Sequence, residues 1–325
     1  MVLLSRQKLI VGLLVILLLF IVPQTRGTTQ QQEEGQISIV IDFSHNSTYT
    51  IAKRNFTEAV GFFANYPEYQ VRILHDGELT AANLSRSHIL VIPNPMTNYT
   101  ASELDVISEY VGRGGSLFLL GDYQVTNRQI GNPLAVNLIL QALFEPRIQF
   151  TTVTGNDGTE GDAIIDSGAA RILPYNIEVN SSYLIPHQNR EAIIAGINSV
   201  IVAGGSLTTT YPDLIVSTGS ETSQAIALNG EVIQDQPAWL AAFWIGNSRV
   251  VLCSSTTMFS DTTCLATNQS WFQSEDNSVL WYNVFRWMSL EMVQDPTQIM
   301  IFFVALVLIV GLVVFAYSLW RTKRG

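Results

Sequence analysis

Short apolar runs and longer amphipathic stretches take turns along the middle of this chain. Ile37 to Phe43, Tyr69 to Leu74, Ile89 to Pro93 and Ser116 to Leu120 are brief apolar segments closed by Gly, Pro, Asn or Asp, and each predicts a strand. Helical stretches separate them. Thr50 to Ala64 has a weak helical pattern, a short helix is expected after Leu74, and the clearest helix opens at Thr100, where Thr100 and Glu103 make a capping box. Leu104, Ile107 and Val111 recur on one face of that helix, and Gly112, Gly114 and Gly115 supply its stop. Strands alternating with helices in one sheet imply parallel pairing through right-handed crossovers, so the pattern predicts a doubly wound, mostly parallel α/β core.

Beyond this core, Asn132 to Phe144 reads as a helix with Pro133 in its first turn. From Ile148 to Gln236 the signals change to short extended stretches around Phe150, Ile164, Val179, Val200, Ile215 and Ile226, expected as a β-rich elaboration of the same sheet. Trp239 to Trp244, a turn at Gly246 and Asn247, and Arg249 to Cys253 read as a hairpin. A last helix, Ser278 to Leu290, carries Trp281, Phe285 and Met288 at core spacing, whereas Trp271 and Phe272, in a polar loop beside Asn268, are candidates for meeting a partner or a membrane interface.

The two ends are unlike the middle. Thr297 through Trp320 carries no charge, and a helix over Ile299 to Trp320 would be roughly 33 Å long, enough to cross a bilayer core. Arg321, Lys323 and Arg324 follow it and Asp295 precedes it, which places the preceding residues outside the cytoplasm by the positive-inside rule. At the other end Arg6 and Lys8 precede the apolar stretch Leu9 to Val22, then Pro23 and Thr25-Arg26-Gly27, the layout of a secretory signal cut near Gly27; an uncleaved signal anchor is the alternative. The expected organisation is a signal peptide at 1–27, a linker at 28–36, an extracytoplasmic domain at 37–291, a transmembrane helix at 297–320 and a tail at 321–325. The expectation is thus a single-pass type I membrane protein, lodged in the cell membrane or, in a eukaryote, the endoplasmic reticulum, with the bilayer and other membrane subunits as its partners.

Charge and modification signals fit an outward domain. Of 17 basic residues six lie at the two ends, leaving eleven against 27 acids, a net charge of about −16 that excludes nucleic acid as a partner. Six sequons, at Asn46, Asn55, Asn83, Asn98, Asn180 and Asn268, fall in the same segment and predict glycosylation, while Asn94 is followed by proline. Cys253 and Cys264 form an even pair, which in an oxidising compartment favours one disulfide over two buried thiols. A pair is too few to scaffold a fold, so stability must come from a hydrophobic core.

Three segments resemble the glutamine-amidotransferase-like domain family, often called the GIFT domain. They are Ile39 to His45, a strand ending in Asp42-Phe43-Ser44-His45; Thr100 through Asp122, a capped helix, Gly-rich turn and strand ending in Gly121-Asp122; and Asn247 through Asp261 with the aromatic helix at Ser278. The likeness spans about residues 37 to 290. It implies a class I amidotransferase-like fold. The family includes an intraflagellar-transport subunit, extracytoplasmic companions of ABC transporters, and a single-span, non-catalytic subunit of the oligosaccharyltransferase. That last subunit is similar in layout, and Leu214 to Ser220 and the Ser254 to Asp261 loop resemble its lumenal domain. It also carries a β-sandwich domain for which this chain has no room.

Amidotransferase-type enzymes need a nucleophilic Cys on the strand-to-helix elbow, with a His and an acid in reach. The corresponding elbow here is Leu119 to Tyr123, and it holds no cysteine. A serine triad from Ser254 or Ser255 with His45 and Asp42 lacks a Gly-x-Ser-x-Gly elbow. No metal or cofactor is expected. His45, His75, His88 and His187 are scattered, although Asp42 and His45 could meet Asp122 at adjacent strand ends. The simpler role for Asp42, Ser44 and His45 is to cap the helix expected near Thr50. A ligand or partner site in such a fold belongs at the carboxyl ends of the parallel strands, near Asp42, Ser44, His45, Pro93, Asn94, Asp122 and Tyr123.

These features lead to an expected function: a non-catalytic, membrane-anchored subunit whose outward domain scaffolds a membrane complex, with N-glycosylation machinery of the oligosaccharyltransferase type first. An accessory subunit of an ABC transporter is the alternative. A small-ligand receptor or enzyme using Asp42 and His45 is the third.

Overall fold

The structure, a computed structural model, describes residues 36–125, 128–143, 145, 147–152, 161–166, 176–186 and 189–289, together with Gly311. The expected leader, linker up to residue 35, apolar run 297–320 (Gly311 apart), tail and His187 lie outside these residues. No helix among the described residues is long and apolar enough to cross a membrane.

The chain builds a mixed α/β fold on a nine-stranded sheet. Strands β1 (Ile37–Asp42), β2 (Tyr69–Leu74), β3 (Ile89–Pro93) and β4 (Ser116–Leu120) alternate with helices α1 (Thr57–Gly61), α2 (Ala81–Leu84) and α3 (Ala101–Gly112). After α4 (Pro133–Ala142) come β5 (Ile148–Phe150), β6 (Ala163–Asp166), β7 (Ile177–Asn180), α5 (Glu191–Ile194), β8 (Ser199–Val202), β9 (Leu207–Thr209) and β10 (Ile215–Thr218). The chain closes with β11 (Ser223–Ile226), β12 (Val232–Asp235), β13 (Ala238–Ile245), β14 (Ser248–Cys253) and α6 (Asn277–Ser289). In the large sheet the order is β2-β1-β3-β4-β14-β13-β9-β5, with β10 also on β13. The first five of these run parallel, and the strands beyond β14 join antiparallel.

Strand alternation sends successive side chains to opposite faces, and both faces are covered. Ile39, Ile41, Val91, Phe118 and Val251 point into one core with the aromatic side chains of α6. Val40, Leu90, Leu117, Leu119 and Leu252 point into a second core with α3 and α4. Double winding follows directly from a sheet that is apolar on both sides. Trp281, Phe285 and Met288 are buried as expected, but so are Trp271 and Phe272, at 6% and 1% exposure. Phe272 packs edge-on against Phe62 at 5.6 Å, and Trp271 joins Cys264, Ile201 and Ala203 in a small separate cluster. Neither aromatic is available to a partner or a bilayer.

The β-rich stretch divides. β5, β9 and β10 extend the large sheet, whereas β7 and β8 form a two-stranded ladder and β6, β11 and β12 a three-stranded sheet. The β7–β8 ladder is fastened to α6 by buried Asn277, whose Oδ1 accepts from Ile201 N at 3.1 Å and whose Nδ2 donates to the carbonyls of Ile201, Met258 and Trp271.

The helix expected from Thr50 to Ala64 starts late. Side chains within the segment compete for its backbone: Asn55 Oδ1 accepts from Thr50 N at 2.7 Å and Thr50 Oγ1 from Lys53 N at 3.1 Å, which stabilises turns instead. The cap is not local either. Asp261 accepts from Thr57 N at 2.6 Å and Glu58 N at 2.9 Å, so a carboxylate some 200 residues away fills the first turn of α1. Asp261→Ala should therefore cost about 1–2 kcal/mol in denaturant unfolding; a loss under a few tenths would show that α1 needs no cap.

The expected disulfide is not formed. Cys253 and Cys264 are separate buried thiols, Cys253 in the main core 3.7 Å from Met258 Sδ and Cys264 beside Trp271. The two cysteines belong to different apolar clusters, which keeps the sulfurs apart.

Candidate functional site at the carboxyl edge

β1 ends where Asp42 captures its own turn. Its Oδ1 accepts from Ser44 N at 2.8 Å and Ser44 Oγ at 2.6 Å, an Asx-type turn that halts the strand. Its Oδ2 accepts from Tyr99 OH at 2.8 Å. The trio Asp42, Ser44 and His45 therefore caps its own turn and not α1.

His45 completes this cluster. Its ring stacks on Tyr99 with centroids 3.6 Å apart, Nδ1 lies 2.9 Å from Ser44 Oγ and 3.5 Å from Asp42 Oδ2, and Nε2 lies 3.3 Å from Glu103. Glu103 is in turn fixed by Thr100 N at 2.8 Å and Leu79 N at 2.9 Å. Burial lowers the affinity of His45 for a proton, but the neighbouring carboxylates of Asp42 and Glu103 outweigh it and raise its pKa. Burial would raise Asp42, yet hydrogen bonds from His45, Ser44 and Tyr99 hold it below the usual carboxylate value. Glu103 is likewise held low against burial by Thr100 and Leu79. Tyr99 is pushed well above its ordinary value by burial and by Asp42. Tyr99 and Glu103 were not among the expected site residues. The capping box marked Glu103, but nothing in the spacing of 58 residues from His45 indicated their contact.

Asn94 sits at the end of β3 with φ of +44°, a left-handed conformation that asparagine tolerates. Its backbone N–H donates to Leu120 O at 2.8 Å, and its amide donates to Thr48 Oγ1 at 3.3 Å and to Ile130 O. Asn94 Oδ1 and nearby Ser47 Oγ are buried without a partner.

Asp122 belongs to a different group. Its Oδ1 accepts from Tyr123 N, and its Oδ2 from Thr257 N and Thr257 Oγ1, each at 2.9 Å; Thr257 Oγ1 also lies 2.7 Å from Tyr49 OH. Burial pushes its pKa up to about 7 despite those donors. Asp162, unforeseen in the sequence, accepts from Ser206 N at 2.9 Å and is raised by burial to about 6. Asp42 and His45 thus do not join Asp122 around a common point. Among the described residues no group of three His, Cys, Asp or Glu converges as a metal would require.

The elbow itself is overlaid by the chain. A Cβ on Gly131 would stand 2.3 Å from Asp122 O, one on Gly205 2.9 Å from Asp162 Oδ1, and one on Gly204 2.4 Å from Ser254 O. The segments around Gly131 and Gly204 therefore press against the ends of β4 and β14. Ser254 Oγ donates to Gly205 O and Ser255 Oγ to Ala203 O at 2.7 Å, so neither hydroxyl is held by His45 and the serine triad does not assemble. Cys253 is fully buried, its thiol pushed up to about 12, far from the thiolate that nucleophilic attack needs.

No family profile and no curated protein sequence matches the chain. Among solved structures it is similar to the mmIFT52 N-terminal domain, with 17% identity over 78% of this chain and 97% of that one and a TM-score of 0.58. The likeness is one of fold. A ThuA-like protein from Bacteroides uniformis matches at 12% identity over 81% of this chain and 95% of that one (TM-score 0.41), and one from Parabacteroides merdae at 11% over 80% and 92% (TM-score 0.43).

Proposed function

We propose that this chain is a non-catalytic, membrane-anchored subunit whose globular domain works by binding neighbours in a membrane complex. One observation carries the reading: the elbow that bears the nucleophile in glutamine-amidotransferase-like enzymes holds Asp122, which is 6% exposed and saturated by Tyr123 and Thr257. The membrane anchoring rests on the apolar run 297–320, its basic tail and the leader. The type I layout and the GIFT-like segments favour N-glycosylation machinery as the host. Detergent extraction and capture through the basic tail tests this. Co-purification of glycosyltransferase subunits supports the host, an ATPase and permease pair moves it to an ABC transporter, and a lone monomer sinks the scaffold reading.

A second reading, a small-ligand receptor, is favoured by the unpartnered Asn94 Oδ1 and Ser47 Oγ, since buried polar atoms without partners are rare. A ligand or ordered water accepting from Ser47 and donating to Asn94 would satisfy both.

A further inference from the structure

We infer that His45 is a pH-operated latch: its imidazolium pins the loop 94–100 and the start of α3 to the end of β1, and loss of one proton releases them. The inference goes beyond the scaffold reading and does not rest on it.

The hydrogen bonds themselves fix the charge on the ring. Glu103 accepts from backbone N–H groups on both of its oxygens, Oε1 from Leu79 at 2.9 Å and Oε2 from Thr100 at 2.8 Å, which makes it an ionised carboxylate with no proton to give. Its contact with His45 Nε2 at 3.3 Å therefore needs a proton on Nε2. On the other side of the ring, Ser44 Oγ has a single proton, and it goes to Asp42 Oδ1 at 2.6 Å. The 2.9 Å contact between Ser44 Oγ and His45 Nδ1 then needs a proton on Nδ1 as well. Only the imidazolium carries both. A neutral ring has one proton for two acceptors, so a lone pair must face either the Glu103 carboxylate or the Ser44 oxygen. His88 shows the opposite arrangement: its Nδ1 accepts from Ser38 N at 2.9 Å, which requires a bare nitrogen, and burial lowers its pKa.

The same residue joins separate segments of the carboxyl edge. The His45 carbonyl accepts from Met96 N at 3.0 Å and Thr97 N at 3.2 Å, its ring stacks on Tyr99, and Nε2 reaches Glu103 in the first turn of α3, which in turn holds Leu79 before α2. Two of these segments pass through left-handed residues, Asn46 at φ +55° beside His45 and Asn94 at +44°, conformations that cost an L-residue energy and persist only where the surroundings hold them. Releasing the latch removes part of that hold. The charged and titratable groups facing the ring are Asp42 from its own turn, with Oδ2 at 3.5 Å from Nδ1, Tyr99 from the loop and Glu103 from α3. His75, Asp76 and Glu78 in the loop before α2 are exposed, and Lys53 donates to Ser47 O. Burial opposes the charge on His45, but the two carboxylates favour it more, so the latch is closed in acid and opens as pH rises through a value above the ordinary 6.5.

The test uses the full chain in detergent, labelled with nitrogen-15 in its four histidines. Between about pH 5 and about pH 9, ring nitrogen shifts report each proton on His45, and deuterium exchange reports the amides of Met96 and Thr97. His45 should keep protons on both nitrogens beyond the pH at which His88 has lost one. As His45 titrates, exchange at Met96 and Thr97, taken relative to the amides of β1 so that its intrinsic pH dependence cancels, should rise about tenfold, the weight of one hydrogen bond to a charged group. Glu103→Gln keeps an acceptor oxygen but removes the charge, and should move the ring titration and the exchange step to lower pH together. His45→Gln should exchange fast at every pH with no step. A His45 ring already neutral at about pH 6 overturns the imidazolium, and a His45 titration that leaves exchange at Met96 and Thr97 unchanged overturns the latch. Should His45→Gln fail to fold, the wild type and Glu103→Gln still decide between these results.

Discussion

Trp281→Ala will destabilise the domain by about 4 kcal/mol and lower its thermal midpoint by roughly 8–16 °C. Trp281 is fully buried on α6 and is the meeting point of six aromatic rings: Phe259 and Phe285 at 4.8 Å, Phe118 at 5.7 Å, Phe56 at 5.9 Å, Phe63 at 6.1 Å and Phe272 at 6.5 Å. Those rings come from the residue just before α1, the turn after it, β4, the loop after β14 and α6 itself. Truncation would leave a cavity touched by all of these, and stiff aromatic neighbours collapse poorly into such a space. Trp281→Phe is the control. The indole N–H is buried without a partner, so removing it relieves a desolvation penalty while keeping most of the ring, and the cost should stay below about 1.5 kcal/mol. Calorimetry of both variants decides: a Trp281→Ala loss under about 1 kcal/mol would mean that the α6 face is not the keystone of this core.

The packing against α6 was legible before any coordinates because helical spacing of large aromatic side chains carries its own address. The doubly wound core was legible for the same reason, from apolar runs too continuous to have a wet face. The extended stretches around Phe150, Ile164, Val179, Val200, Ile215 and Ile226 all lie in strands, but their division between three sheets was not readable, since strand partners are set by contacts distant in sequence. β9 and β12 were missed outright. The start of α1 failed for a similar reason: its cap is Asp261, whose carboxylate is brought there only by the loop after β14. At the site, Asp42, Ser44 and His45 were singled out and do form a cluster, while Tyr99 and Asp162 gave no signal and Glu103 was marked only as a helix cap, because tertiary pairing alone makes them partners. Trp271 was misread. A polar sequence neighbourhood pointed outward, but the turns around Cys264 fold that ring inward.

Raising the pH from 5 to 8 will destabilise the folded domain by roughly 2–4 kcal/mol, and Asp122 will account for most of the change. Its folded pKa of about 7 lies above the ordinary 3.8, because burial opposes its charge more than its three donors favour it. Between those values the folded state holds a proton that the unfolded state has lost, so stability falls as pH rises. The contribution is fully present below about 4 and is gone above about 7. Asp162, raised to about 6, acts with the same sign over a window that closes earlier. His45 agrees as well: its raised pKa gives stability that is present below 6.5 and is lost as pH climbs through the folded value. Asp42 and Glu103, both held low, oppose these groups only in acid, where their stabilisation is lost as pH drops through their folded values. Denaturant unfolding at several pH values separates the contributors. Asp122→Asn should be less stable near pH 5, since its amide N–H2 cannot accept from Thr257, but its stability should change by less than half as much between pH 5 and 8. A variant with the full wild-type slope would assign the titration to Asp162 or His45, and His45→Gln then tells those two apart. A slope of the opposite sign would mean that Asp122 is ionised throughout, its charge carried by Tyr123 and Thr257 inside the fold.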